Sequence, residues 1–130
     1  MRWIVANIRV LMIVSGALTL TTVFAVLAPE AMTQSTFGES LSGPVADVVV
    51  RNWGTLIVLT GGMLIYTSGK PALRPLALVV AGASKAVFVA LVLVHGGRFL
   101  GYGAGLAVII DAVWVVVFSS YLLSVRRHAA

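Results

Sequence analysis

Lys85 and Asp111 set the chemical question in this chain. Lys85 stands near the middle of the apolar stretch PLALVVAGASKAVFVALVLVHGG, residues 75–97, and Asp111 is the one acid inside another apolar run. Ionisable side chains in such stretches are costly in a bilayer. They face a bundle interior or a cavity, pair with one another, and mark ligand, ion or proton pathways. A lysine opposite an aspartate can act in four ways. It can be a structural lock that sets helix register. It can be a polar site that holds a ligand, ion or lipid head group. It can be a catalytic pair, with Asp111 as acid or base and Lys85 as electrostatic stabiliser. It can also be a proton relay in a small coupled carrier. Arg9, Arg51 and Asn52 are the other polar groups placed to reach the bundle. Trp114 lies on the helical face of Asp111, three residues on. Lys85, Asp111, Arg51, Asn52, Arg9 and Trp114 are therefore the candidate ligand-binding residues.

Other chemistries are poorly supplied. The chain has no cysteine, which removes thiolate nucleophiles, disulfides and iron–sulfur ligation. Its two histidines, His95 and His128, are expected at opposite ends of the spans, so they cannot share a zinc ion. No metal site and no cofactor is expected. The glycine-rich HGGRFLGYGAG, residues 95–105, lacks the preceding strand and the GK[ST] ending of a phosphate loop. Ser84 has no histidine at its depth, so no hydrolase triad assembles. The net charge of +5 comes from basic residues flanking apolar runs rather than from a basic stripe, and nucleic acid is not an expected partner.

These residues need elements to position them. Of the 130 residues, 60% are hydrophobic and 10% charged, and the mean hydropathy is +1.07. A soluble domain carries about 25% charged residues. About 20 apolar residues span a bilayer, so the length accommodates four spans with short connections, predicted at residues 4–27, 45–67, 72–94 and 100–125. Continuous apolar runs rather than short alternating segments exclude a β-barrel. The first run is longer than a signal-peptide core and has Pro29 just beyond it, so it is expected to be a retained helix ending at Pro29. Glu30 to Pro44 reads as a polar loop with room for a short interfacial turn. Asp47 and Arg51 sit four apart and can pair on one helical face. Gly54, Thr55, Gly61 and Gly62, and the row Gly82, Ala86 and Ala90, offer small surfaces for close helix approach.

Orientation follows from the charges. Four spans put both termini and the second connection on one side, with Arg2, Lys70, Arg74, Arg126 and Arg127. The other side carries Glu30, Glu39, Asp47, Arg51 and Arg98. The excess of Lys and Arg is cytoplasmic by the positive-inside rule. On this side Lys85 and Asp111 each lie about 13 residues in, roughly 20 Å at 1.5 Å per residue. A direct pair between the third and fourth helices is expected.

The order of residues resembles the small DoxX-like four-helix membrane proteins. It is carried by Pro29 after the first helix, Arg51-Asn52-Trp53-Gly54 opening the second, the turn from Pro71 to Pro75, Lys85, the pair Gly96-Gly97, and Asp111. The resemblance implies four antiparallel helices and no particular activity. Lys85 and Asp111 stand where that pattern has an arginine and a glutamate. The reading is thus an all-α, multi-pass protein of the inner or plasma membrane, a single four-helix bundle over residues 1–130 with both termini cytoplasmic. Its expected partners are the lipid bilayer, a lipophilic or anionic small molecule at the Lys85–Asp111 site, and a second copy or another membrane protein. A membrane enzyme acting on a lipid or quinone-like substrate and a proton-coupled carrier are the alternatives.

Overall fold

Without water, a spanning segment must satisfy its own backbone, and long apolar runs do so as helices. The computed structural model describes residues 1–130 and is entirely helical apart from its connections. Helix α1 is Arg2–Leu20, and α2, Val23–Leu27, continues it across Thr21 and Thr22, both still in the right-handed helical region. Next come α3, Pro29–Phe37, α4, Pro44–Ser68, α5, Arg74–His95, and α6, Gly103–Ala129. Four helical stretches are long and apolar enough to cross a membrane: Arg2–Leu27, Pro44–Ser68, Pro71–His95 and Gly103–Ala129.

The segment after the first span departs from the sequence reading. Residues 29–37 form a nine-residue helix rather than a loop. Pro29 both ends the first span and starts α3, because it cannot donate to the preceding ladder but is suited to a first helical turn. Ala28 breaks direction at φ −140°, ψ 71°, Glu30 sits at the positive end of α3, and Gly38 ends it at φ +74°. That left-handed conformation favours glycine. The last helix also differs, running 103–129 rather than 100–125, because residues 97–101 form a 3-10 turn and Tyr102 is extended. A second 3-10 turn at Pro71–Leu73 leads into α5.

The first span packs on α4 and α5 packs on α6, two antiparallel hairpins. Contacts of α4 with α5 and of α1 with α6 close the ring. Glycines set the closest approach. A Cβ on Gly16 would lie 2.7 Å from the Gly61 carbonyl oxygen, one on Gly61 2.8 Å from that of Gly16, and one on Gly54 2.8 Å from Ala25 Cβ. The row in α5 does not do this. Gly82 has only Phe118 at 3.9 Å, and Ala86 and Ala90 are exposed. Gly62 likewise meets open space.

The apolar core fills the end of the bundle nearest the termini, with Met12, Leu64, Leu78 and Phe118 at its centre and Trp114 and Tyr121 around them. Ser124 Oγ donates to Met1 Sδ at 2.9 Å, placing both termini at that end. Arg74 donates twice to the Ser68 carbonyl, at 2.9 and 2.6 Å, closing the α4–α5 connection there. At the opposite end, called the outer end only as the one away from the termini, α3 and the 97–101 turn cover the bundle. Phe37 meets Phe99 edge-on at 5.3 Å and Trp53 at 6.5 Å, and Arg98 pairs with Glu39 at 3.1 Å. Only 17–28% of the residues in each spanning window are buried. The outward remainder is dominated by Val, Leu and Ile, a surface that suits lipid contact.

Candidate functional site

Lys85 lies midway along α5 and Asp111 in the first half of α6. The α5–α6 hairpin brings them level, as the depth count predicts. Lys85 Nζ donates to Asp111 Oδ1 at 2.8 Å, with the side chains 12% and 19% exposed. The contact uses one carboxylate oxygen and one of three ammonium hydrogens. Further bonding capacity remains on both groups.

Both residues line a cavity of about 610 Å³ in the half of the bundle away from the termini, bounded by residues of both hairpins. Its wall includes Thr19 and Thr22 from the first span, Trp53, Ile57 and Thr60 from α4, Ser84, Lys85 and Phe88 from α5, and Ala107, Asp111 and Trp114 from α6. Met32 and Thr36 of α3 roof it. Trp114 belongs both to this wall and to the core cluster beneath, so it forms part of the floor. Thr19 and Thr60 return their hydroxyls to the carbonyls of Ser15 and Leu56, at 2.7 and 2.9 Å, as spanning threonines commonly do. Thr22, Thr36 and Ser84 lie along the same wall. The chemical character is an apolar chamber with one dipolar ion pair and a few hydroxyls. It suits a lipophilic molecule with one hydrogen-bonding group.

The structure brings together Lys85, Asp111 and Trp114 and places the other candidate residues elsewhere. Arg51 Nε pairs with Asp47 Oδ2 at 3.0 Å, and its Nη1 donates to the Val26 carbonyl. It thus closes the carbonyl end of α2 beside the Ala28 break, at the end of the bundle away from the termini. Asn52 is exposed on α4, and Arg9 is exposed on α1. None of the three lines the cavity. The physical reason is the helical period: positions 51 and 52 of α4 point away from the face that carries Trp53, Ile57 and Thr60 inward.

Sequence reasoning overlooked Thr19, Thr22, Thr60 and the α3 residues Met32 and Thr36. Thr19, Thr21 and Thr22 do form a polar cluster late in an apolar run, which was a usable signal. The α3 residues carried none, because their segment reads as polar loop. Comparison of the chain with protein-family models, curated proteins and solved structures finds no match. The DoxX-like resemblance therefore assigns no residue roles, and the site stands on its own geometry.

Proposed function

We propose that this four-span membrane protein is a binding or accessory protein. It holds a lipophilic small molecule in the chamber between its two hairpins, with the polar group of that molecule at Lys85 and Asp111. The observation that carries this reading is the ion pair on the wall of a cavity of about 610 Å³. A lock needs only packed neighbours, whereas this pair lines open volume with bonding capacity to spare. Because the pair is neutral as a unit, a hydroxyl or carbonyl group can add to it without separating the charges. An anion would have to compete with Asp111 for Lys85. The cavity wall contains no histidine and no second carboxylate to pass a proton on, so binding is favoured over the enzymatic and proton-carrying readings.

The proposed setting is a plasma or inner membrane with both termini cytoplasmic. The terminal end holds five Lys and Arg residues, and the outer end holds two arginines against three acids. The DoxX-like likeness agrees with the four-span architecture and adds nothing to the ligand. A second copy or another membrane protein remains a proposed partner on the outer helical faces. The direct test is native mass spectrometry of the detergent-purified protein beside Lys85→Leu/Asp111→Leu. Wild type is expected to retain a co-purified lipophile that the double variant loses. Equal retention by both would remove the ion pair from the binding site.

A further inference from the structure

Between α4 and α5, toward the outer end, runs a second volume of about 300 Å³ that the cavity reading leaves unused. Val49 and Trp53 of α4 and Phe88, Leu91 and Val92 of α5 line it. Trp53, Phe88 and Leu91 also line the central chamber, so the two spaces adjoin along these three side chains. Val49 and Leu91 are 58% and 53% exposed, which opens the groove sideways, toward where lipid lies. Its polar inventory is nearly nil. Thr33, on the α3 side, spends its hydroxyl internally. It lies 3.0 Å from the Pro29 and Glu30 carbonyls and accepts from the Leu41 N–H at 3.1 Å. His95 stands at the outer rim.

We infer that this groove receives the hydrocarbon chain of the molecule whose head meets Lys85 and Asp111. The ligand class is then a single-chain amphiphile with a neutral hydroxyl or carbonyl head. The inference rests on the proposed binding role of the chamber. The two spaces are adjacent, and both are mainly apolar, but only one has a polar anchor. One carries the dipolar pair and hydroxyls, the other almost only aliphatic and aromatic carbon. Along α5 the ten steps from Lys85 to His95 cover about 15 Å, so a long chain with its head at mid-span fills the groove and a short one leaves it empty. Bilayer hydrocarbon offers the chain an equally apolar surrounding, so the gain comes from close packing rather than from the hydrophobic effect. The groove also offers a sideways path into the chamber from the membrane.

The test uses two photoreactive hexadecanol probes, one with the diazirine beside the hydroxyl and one with it at the chain end. Each is applied to the purified protein in detergent, with unlabelled hexadecanol as competitor and peptide mapping of the adducts. The head probe is expected to label the regions of Ser84 to Phe88 and Ala107 to Trp114. The tail probe is expected to label the regions of Val49 to Trp53 and Leu91 to His95, both competably. Val49→Trp, which fills the groove mouth away from the ion pair, should lower hexadecanol labelling about tenfold and leave labelling by a photoreactive hexanol unchanged. Unaltered circular dichroism and elution volume would confirm that the variant is folded. Head labelling in the chamber with tail labelling away from the groove, for example on Leu18 or Thr22, overturns the groove assignment and leaves the chamber reading standing. Absence of competable head labelling overturns both.

Discussion

At the scale of single residues, Lys85 and Asp111 are a mostly buried pair whose members depend on each other. Removing one partner strands the other charge among apolar side chains, and such losses run to roughly 3 kcal/mol or more. Lys85→Leu and Asp111→Leu are each expected to lower stability by about that amount, read from the unfolding midpoint in a detergent–denaturant titration. The double leucine variant should recover most of it, since apolar packing often replaces a buried pair without loss. A double variant less stable than either single one would refute this account of the pair. Arg51 behaves differently because its bonds go to Asp47 and the Val26 carbonyl, at a half-exposed position. Arg51→Ala should cost about 1 kcal/mol or less. Its mark should be faster hydrogen exchange at residues 26–30, with ligand retention unchanged. Loss of ligand with normal exchange there would return Arg51 to the binding site. The sequence made the Lys85–Asp111 pair legible because charge in an apolar run is conspicuous and helix rise converts position into depth. Spacing also predicted the Asp47–Arg51 pair that forms, but it could not place Asn52, whose polarity fits an interface and an interior equally well.

At the scale of elements, glycine position decides how closely the helices approach. Gly16 and Gly61 set each other's limit across the first hairpin, while Gly62, the next residue, faces open space. Gly61→Val is therefore expected to destabilise by about 1–3 kcal/mol through overpacking. Gly62→Ala should be neutral or slightly stabilising, since alanine favours helix over glycine by up to about 1 kcal/mol. Thermal retention of monodisperse protein in detergent distinguishes them, and equal effects would contradict the packing described. Sequence alone named Gly54, Thr55, Gly61 and Gly62 together with the Gly82, Ala86 and Ala90 row. Spacing identifies a small face but not which neighbour meets it, and the α5 row meets none closely. Residues 29–37 show the same limit from the other side. Pro29 signalled an ending, yet proline serves equally as a helix start, and only the packing of α3 on the bundle selects that role.

For the whole molecule, the proposed orientation rests on the charges that flank the spans. Reporter fusions at Met1 and at Ala130 are both expected to report the cytoplasm, and an outward signal from either would reverse the orientation. The membrane class, the four spans and the depth of the two interior charges follow from the sequence by itself. Each depends on hydropathy and rise per residue, which are local quantities. The chamber was decided only by tertiary structure. A cavity is a place where helices fail to meet, and that depends on how the two hairpins pack against each other and on where α3 settles across them. Residues distant in the chain, such as Thr19, Trp53, Lys85 and Asp111, become one wall only when those distances are closed, and no local pattern records that they will be.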